Sequence, residues 1–356
     1  MELRPSDALN LSGHDTGRRE LHQTDISVLL ACNRKYELKY LQGLELIETP
    51  RPLSLGSAFQ KAIEYQDPEV GVRALRGEEQ CDFCGGHGMV MLSPDDEAEC
   101  ENCDGSGFVK QADALGADEM TQAQHDRLVV DEAIVRGASE LYLKTWPGGQ
   151  GETREFEFKV RLRSPWTGAY SRTFDLVGTA DGLVDTYHEE IEHYASGGGR
   201  ITAHPGYELI ENKLVGQITP QKVQRLPLDR QVAIYRYGIW RATGRKVETV
   251  RYRWTRKPQI RQKQNETLEE YADRIVADYK ERPDFYVHVG KPQFATTGDL
   301  LRIEAELWQL AEMVRAAERG RIFVRNTAHC SDFGGCPYVA VCTRDPDAMS
   351  LYRTVE

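Results

Sequence analysis

The chain has 356 residues, of which 40% are hydrophobic, and its formal net charge is −11. This length fits about two domains, or one domain with an insertion, and supplies enough apolar residues for a substantial core. The acidic balance excludes a protein that coats nucleic acid through overall positive charge, although it allows a local basic groove. The polar start "MELRPSDALN" and the lack of about 18 consecutive apolar residues predict a cytoplasmic protein with no membrane span.

Helical periodicity appears three times in the first half of the chain. The run "TDISVLLACNRKYELKYLQGL" (residues 24–44) predicts a helix that carries Cys32. A second helix is predicted to begin near Pro52 and to contain "LGSAFQKAIEY", and a third covers "MTQAQHDRLVVDEAIVRGASELYL". The acidic, glycine-rich stretch between the last two predicts an insertion over residues 71–115.

Strand patterns dominate the middle of the chain and then alternate with helices. Strands are predicted at 153–163, 172–187 and 207–215, with a polar, glycine-rich hairpin connection between the last two. Further elements follow as helix 228–243, strand 247–254, helix 268–281, strand 284–289 and helix 300–320. This order predicts an α/β fold with a mixed central sheet flanked by helices. The predicted parts are an N-terminal helical part (1–70), the insertion (71–115), a core (116–325) and a C-terminal segment (326–356).

Four of the eight cysteines form two Cys-x-x-Cys pairs, in "CDFCGGHG" and "CENCDGSG". Their spacing predicts a zinc site made by Cys81, Cys84, Cys100 and Cys103. Over about 30 residues the Cys-x-x-Cys-x-Gly-x-Gly repeats resemble the zinc-binding region of DnaJ-type co-chaperones. The chain lacks the His-Pro-Asp loop of a J domain, so a small insertion stabilised by zinc is the interpretation, with a partner-binding finger as the alternative.

Acidic and basic side chains meet on two neighbouring predicted strands. Asp181 lies in "GTADGLVD", and Glu211 and Lys213 lie in "IENK". Because strand side chains alternate, Glu211 and Lys213 point to the same face. Two carboxylates on adjacent strands favour Mg²⁺ or Mn²⁺, and a nearby ammonium can orient water or offset charge on a phosphate.

In this order the motifs resemble the PD-(D/E)xK nucleases, specifically the RecB-like branch that includes the CRISPR-adaptation exonucleases. The resemblance runs from about residue 24 to 342, apart from the insertion, and implies a restriction-endonuclease-like core. It implies a Mg²⁺- or Mn²⁺-dependent DNA exonuclease that acts on ends or single strands in recombination, repair or phage DNA processing.

The same resemblance assigns roles to individual residues. It implies Asp181 and Glu211 as metal ligands, the Asn212 carbonyl as a further ligand, and Lys213 as the catalytic lysine. "QVAIY" resembles the family's Gln-x-x-x-Tyr helix, which implies that Gln231 and Tyr235 lie one turn apart and hold the DNA or the lysine.

One position departs from the family pattern. The first family motif commonly ends in a metal-binding histidine, whereas "GSAFQ" supplies Gln60, whose carbonyl oxygen is a weaker ligand. Glu64, one helical turn further on, is a substitute. The departure keeps open a catalytically weak or inactive DNA-binding member of the fold. A zinc-finger scaffold for recombination or replication partners is a second alternative.

The run "CSDFGGCPYVAVC" places Cys330, Cys336 and Cys342 at two intervals of six. A branch of the resembled family holds a 4Fe-4S cluster with one early and three late cysteines, which implies Cys32 as the fourth ligand. The implied protein is brown, and zinc at these four cysteines is the alternative.

A basic run, "RYRWTRKPQIRQKQ" (residues 251–264), surrounds Trp254. It is interpreted either as a strip that contacts phosphates and stacks bases or as charges that protect a strand edge. No helicase motif is present in the sequence, so unwinding of DNA is expected to need a helicase or recombination partner.

Overall fold

A mixed seven-stranded sheet with helices on both faces forms the centre of the protein, as predicted for the fold class. The computed structural model describes residues 10–47, 51–81, 84, 86, 89–93, 96–110, 120–148, 152–194, 198–294, 297–332 and 335–354. None of the helices in these ranges combines the length and apolar character needed to cross a lipid bilayer.

Five strands form the main path of the sheet. In spatial order they are β1 (Arg19–Leu21), β8 (Tyr170–Tyr194), β9 (Gly198–Val215), β10 (Val247–Arg256) and β11 (Val287–Val289). Two more strands pair with this path, β7 (Glu152–Arg163) with β8 and β12 (Gln293–Phe294) with β10. The β1–β8 and β9–β10 pairs are parallel, and the other pairs are antiparallel.

One edge of β8 is shared by two strands. Leu176 pairs with Leu21 of β1 on this edge and with Val160 of β7 on the other. Further along β8, Gly182 pairs with Ile210 of β9 on the edge that β1 uses, while β7 occupies the other edge. Within the described residues, positions 177–181 of β8 therefore have no strand partner on the edge that β1 and β9 share. The candidate site lies at this gap.

The first face of the sheet is covered by α1 (Gln23–Ala31), α7 (Arg230–Thr243) and α10 (Thr297–Gly320). Two glycines let α7 approach the sheet closely. A Cβ atom on Gly238 would lie 2.0 Å from the Phe158 ring, and one on Gly178 would lie 2.6 Å from it. Side-chain atoms cannot approach so closely, so glycine at these two positions leaves the room that the Phe158 ring needs. The ring therefore fills the space between α7 and the sheet and sets the distance of α7 from the strands.

The second face carries α3 (Arg51–Glu64), α4 (Pro68–Leu75), α5 (Gln122–Thr145), α8 (Leu268–Glu281) and α9 (Pro283–Tyr286). Here Gly137 of α5 makes room for Tyr279, which lies 2.4 Å from where a Cβ would be. The predicted start of the insertion at residue 71 falls within α4, whose Val72 is buried in this core.

The insertion contains two small antiparallel pairs, separate from the central sheet. These are β3 (Glu78–Gln80) with β6 (Phe108–Lys110), and β4 (Met89–Ser93) with β5 (Asp96–Glu99). The guanidinium of Arg73, on α4, lies 4.2 Å from the centre of the Phe108 ring. This cation–π contact joins the insertion to the helices of the second face.

Residues from both ends of the described chain meet in a separate module. Its elements are β2 (Leu44–Leu46), paired with β13 (Tyr352–Thr354), and the short helices α2 (Asn33–Tyr36) and α11 (Val339–Thr343). The Tyr338 hydroxyl donates a hydrogen bond to the Leu44 carbonyl over 2.7 Å, and the Tyr338 ring stacks on Tyr352. One further short helix, α6 (Pro220–Arg225), follows β9.

Three predicted elements are wrong in part. The helix predicted over 24–44 breaks at Cys32, whose extended backbone turns the thiol toward residue 326, and a π-helical turn (Glu37–Leu41) follows α2. The hairpin predicted between residues 187 and 207 has longer strands than expected, because β8 and β9 continue to pair up to Tyr194 opposite Gly198. Backbone pairing does not need apolar side chains, so the polar composition of these residues gave no indication that the strands continue. The strand predicted at 284–289 begins as α9, because Pro283 favours the first turn of a helix.

Candidate active site and metal centres

Glu211 and Lys213 lie side by side on β9, on the face covered by α7. Glu211 is fully buried, and its Oε1 forms an ion pair with Lys213 Nζ. Its second oxygen, Oε2, is also buried and has no hydrogen-bond partner within the described residues. A buried carboxylate oxygen without a partner is costly, so this atom marks a place where a cation or a proton is favoured.

Asp181 lies where the ladder between β8 and β9 ends. The last pair of this ladder is Gly182 with Ile210. One residue further, the Asp181 Oδ2 accepts a hydrogen bond from the backbone N–H of Asn212 over 2.7 Å. The carboxylate thus replaces a strand partner and lies beside Glu211.

The Asn212 side chain points to the opposite face, where α5 holds it. Its Oδ1 accepts a hydrogen bond from the Tyr142 hydroxyl over 2.7 Å. Arg253 donates to the same hydroxyl over 3.2 Å and to Glu152 over 2.9 Å. This network fixes the backbone of β9 between the two residues that carry the site's charges, Glu211 and Lys213.

The electrostatics of these three groups favour an added cation. Burial raises the pKa of Glu211, the charge of Asp181 raises it further, and Lys213 only partly opposes the shift. Burial also raises the pKa of Asp181, against the Asn212 N–H and Lys213. Burial lowers the pKa of Lys213, but Glu211 and Asp181 outweigh it, so the net shift is upward. One ammonium therefore faces two carboxyl groups that burial makes reluctant to ionise.

Gln231 and Tyr235 lie one turn apart on α7 and extend this network. The Gln231 Oε1 accepts a hydrogen bond from Lys213 Nζ over 3.1 Å, and its Nε2 donates to the Tyr235 hydroxyl over 3.0 Å. Asp229, which the sequence analysis did not single out, accepts from the Gln231 N–H over 3.0 Å and from the Tyr252 hydroxyl over 3.0 Å. It caps the N-terminus of α7 and so fixes the position of Gln231 in the first turn of this helix.

A second pair of carboxyl groups borders Asp181. Glu64 of α3 hydrogen-bonds to Glu155 of β7. Burial raises the pKa of Glu155, and Glu64 and Asp181 raise it further. Gln60 lies half-buried one turn before Glu64 on the same helix. The sequence could not single out Glu155, because Glu157 holds an equivalent position in the same alternating strand.

Four cysteines of the insertion converge in a geometry that suits one metal ion. The four sulfur atoms of Cys81, Cys84, Cys100 and Cys103 lie within 4.8 Å of one another, and all four residues are buried. The Sγ atoms of Cys81 and Cys100 are 3.8 Å apart, and those of Cys84 and Cys103 are 3.7 Å apart. A tetrahedral ion with Zn–S bonds of about 2.3 Å separates its sulfur ligands by about 3.8 Å. This group could therefore bind a metal such as zinc.

Backbone and side-chain donors point at these sulfur atoms. The Asn102 Nδ2 donates to Cys81 Sγ over 3.1 Å, and the Gly107 N–H donates to Cys103 Sγ over 3.2 Å. Such bonds stabilise thiolates, the form that binds a metal. Gly107 has a φ of +77°, which glycine adopts without strain.

The other four cysteines lie in the terminal module. The Cys32 Sγ accepts a hydrogen bond from the Asn326 N–H over 3.3 Å. Burial raises the pKa of the Cys342 thiol, Arg34 opposes this, and Cys336 and Cys32 raise it further. Cys330 is exposed, and its carbonyl accepts from the Cys336 N–H over 2.7 Å. Among the described residues, only the insertion cysteines bring three or more such ligand atoms within 4.8 Å, so this second set is more widely spaced.

The first part of the basic run, residues 251–256, lies in β10 and is divided between the two faces of this strand. Arg251 pairs with Glu208 and Arg253 with Glu152, while Trp254 is almost completely buried on the other face. Strand alternation therefore places Arg251 and Arg253 on the face opposite the Trp254 ring. β10 is also not an edge strand, since β9 and β11 flank it.

Comparisons with known proteins give no assignment: no protein-family model matches the chain, and no curated protein matches it.

Proposed function

We propose that the protein is a metal-dependent deoxyribonuclease of the PD-(D/E)xK type. One observation carries the proposal: Asp181, Glu211 and Lys213 meet at the gap in the edge of β8, and a buried oxygen of Glu211 lacks a partner there. Two adjacent strands supply the acids and one helix supplies their polar support. This arrangement agrees with the motif order from which the nuclease resemblance was inferred.

The donor set fits Mg²⁺ or Mn²⁺. Carboxylate oxygens are the ligands that these hard cations prefer, and Asp181 and Glu211 would hold the ion with the Asn212 carbonyl as a further ligand. When bound, such a cation polarises the phosphodiester and lowers the pKa of the attacking water. A cation would also offset the negative charge that raises the pKa of Glu211.

The chain's own residues position the reacting groups. Lys213 Nζ is held by Glu211 and by Gln231 Oε1, which leaves one of its three protons to point at a phosphate oxygen or at water. Tyr235 holds the Gln231 amide so that its oxygen, not its nitrogen, faces Lys213. The ammonium thereby stays charged and directed toward the gap.

Glu64 and Glu155 replace the missing histidine in this proposal. Their shared hydrogen bond lies within electrostatic reach of Asp181, so the acidic group extends from β9 across β8 and β7 to α3. The insertion cysteines hold zinc as a structural ion, and Cys32, Cys330, Cys336 and Cys342 hold a 4Fe-4S cluster. The substrate is DNA, at strand ends or in single strands.

Hydrolysis of labelled single- and double-stranded DNA with Mg²⁺ or Mn²⁺ tests the proposal. We expect the wild type to degrade DNA, and Asp181→Asn and Lys213→Met to lower the rate at least about 100-fold. Asp273→Asn and Lys144→Met change exposed residues of the same types and should retain the rate. DNA binding without hydrolysis by the wild type would instead favour the inactive DNA-binding protein that Gln60 keeps open.

A further inference from the structure

A cleft of about 560 Å³ lies next to Lys213. Lys213 and Gln231 line it, together with Tyr252 and Trp254 of β10. Gln23 and Ser27 of α1 also line it, as do residues of α6 and of the 3₁₀ turn after it (Leu226–Leu228). The volume falls in the range of about 300–1,000 Å³ that holds small ligands, which suits one nucleotide and not a duplex.

The cleft is basic although the chain as a whole is acidic. Its lining contains four cations, Lys213, Lys222, Arg225 and Arg230, and one carboxylate, Asp229. Both Asp229 oxygens already accept hydrogen bonds, from Gln231 N–H and the Tyr252 hydroxyl. An anion entering the cleft therefore meets a net positive surface.

Three cations remain available at the mouth. Lys222 Nζ makes a 2.9 Å bond to the Gln217 carbonyl, which uses one of its three protons. Arg230 lies 3.8 Å from Glu306, at the limit of an ion pair. Arg225 is exposed and makes no ion pair within the described residues. Guanidinium and ammonium groups grouped in this way are typical of phosphate recognition.

The remaining lining is apolar. The Tyr252 and Trp254 rings lie 5.9 Å apart and are almost completely buried, whereas Ile218 and Leu226 are partly exposed. Leu228, at the rim, is 82% exposed, an unusual position for a large apolar side chain. An apolar lining beside a group of cations matches a nucleotide, which has an apolar base face and a charged phosphate.

We propose that this cleft receives the terminal nucleotide of a single DNA strand. Its phosphate lies at Lys222, Arg225 and Arg230, its base lies on the apolar surface, and the next phosphodiester then lies at Lys213. The inference rests on the proposed function and deepens it, because a cleft with room for one nucleotide beside Lys213 favours a strand end over the interior of a strand.

Binding measured in EDTA separates the cleft from catalysis. Fluorescence anisotropy would compare a short linear single strand, with phosphate at either its 5′ or its 3′ end, with a closed circle of the same sequence. We expect the linear strand to bind more tightly, and Arg225→Ala and Lys222→Ala each to weaken it about fivefold to tenfold without changing circle binding. Arg319→Ala, an exposed arginine outside the cleft, is the matched control.

Free mononucleotide distinguishes the two sources of a nucleoside phosphate. A mononucleotide that competes with the linear strand, but binds more weakly, supports a strand-end site. Equal affinity for linear and circular DNA, or unchanged affinity in Arg225→Ala, would overturn the inference. If the wild type binds strand ends through Arg225 but cuts no DNA, the proposed nuclease activity is refuted and the end-binding cleft is supported. If it cuts DNA without any preference for ends, the nuclease activity is supported and the end-binding cleft is refuted.

Discussion

The Asp181 carboxylate accepts a hydrogen bond from the backbone N–H of Asn212 at the point where β8 and β9 stop pairing. One oxygen thus completes the backbone of β9, and the same group supplies negative charge beside Glu211. Structural and chemical roles of this residue can therefore be separated by choice of substitution.

Asp181→Asn retains an oxygen acceptor and removes the charge, whereas Asp181→Ala removes both. We expect both variants to lose DNA hydrolysis, but only the alanine variant to lose about 1–2 kcal/mol of unfolding free energy in EDTA, because it leaves the Asn212 N–H unpaired. Urea unfolding and DNA degradation measure the two effects. Hydrolysis retained by Asp181→Asn would contradict the assignment of Asp181 as a ligand.

Glu211→Gln should stabilise the metal-free protein as the pH rises. The pKa of Glu211 is raised in the folded state from 4.5 to about 8, so the folded protein holds this proton more tightly than the unfolded chain does. Stability is therefore lost as the pH rises between these values, and glutamine removes that loss. We expect the variant to gain on the order of 4 kcal/mol over the wild type near pH 8 and less than about 1 kcal/mol near pH 5.

Unfolding in urea at several pH values, with EDTA present, measures this difference. Glu157→Gln, an exposed position on β7, is the control and should show no gain that depends on pH. A gain of the same size at both ends of the pH range would show that packing, not ionisation, is responsible.

Tyr235→Phe removes the hydroxyl that orients the Gln231 amide. Without this hydroxyl, the Gln231 amide can rotate and turn its nitrogen toward Lys213. The amide N–H groups then repel the Lys213 ammonium, which spends less time in the position needed for catalysis. We expect kcat to fall about threefold to tenfold with little change in KM for DNA or in Mg²⁺ dependence. In the double variant with Gln231→Ala, the loss of kcat should be smaller than the sum of the two single losses, expressed as free energies. Full additivity would show that Tyr235 does not act through Gln231.

Cys100→Ser should remove one bound metal ion and unfold the insertion alone. The insertion has only a small apolar cluster around its four cysteines, so the ion supplies most of its stability. Elemental analysis should show one zinc fewer per chain, and limited proteolysis should cut between residues 77 and 110 while the remaining core resists. Unchanged zinc content would exclude this site.

Cys342→Ala should remove visible colour from protein purified without oxygen. In the proposed cluster Cys342 is one of four ligands, together with Cys32, Cys330 and Cys336. We expect loss of visible absorbance and iron, with zinc at the insertion retained. A colourless wild type that contains only zinc would assign zinc to both sets of cysteines.

Alternation and motif order were enough to predict the central strands and the group on β9. Glu211 and Lys213 are two residues apart, so strand geometry alone places them on one face. The Cys-x-x-Cys pairs likewise predicted a local site, because short spacing limits where the thiols can lie.

Contacts distant in sequence were not predictable in the same way. Glu64 and Glu155 are separated by the insertion and lie on different elements, and nothing in either local sequence indicates that they meet. The basic cleft could not be predicted for the same reason, since its cations come from β9, α6 and α7 and two of its aromatic residues come from β10. The break at Cys32 depends on residue 326, which no local periodicity includes.

The pairing of β2 with β13 joins residues 44–46 to residues 352–354. During synthesis, residues 44–46 leave the ribosome long before their partners exist, so this ladder closes only after residue 354 has emerged. The hydrogen bonds from residue 326 to Cys32 and from Tyr338 to Leu44 likewise form only after residues 326 and 338 have emerged. If synthesis stops before residue 338, the strands of the central sheet can therefore pair while the terminal module stays unfolded. Quality-control proteases can then bind the unfolded residues of that module.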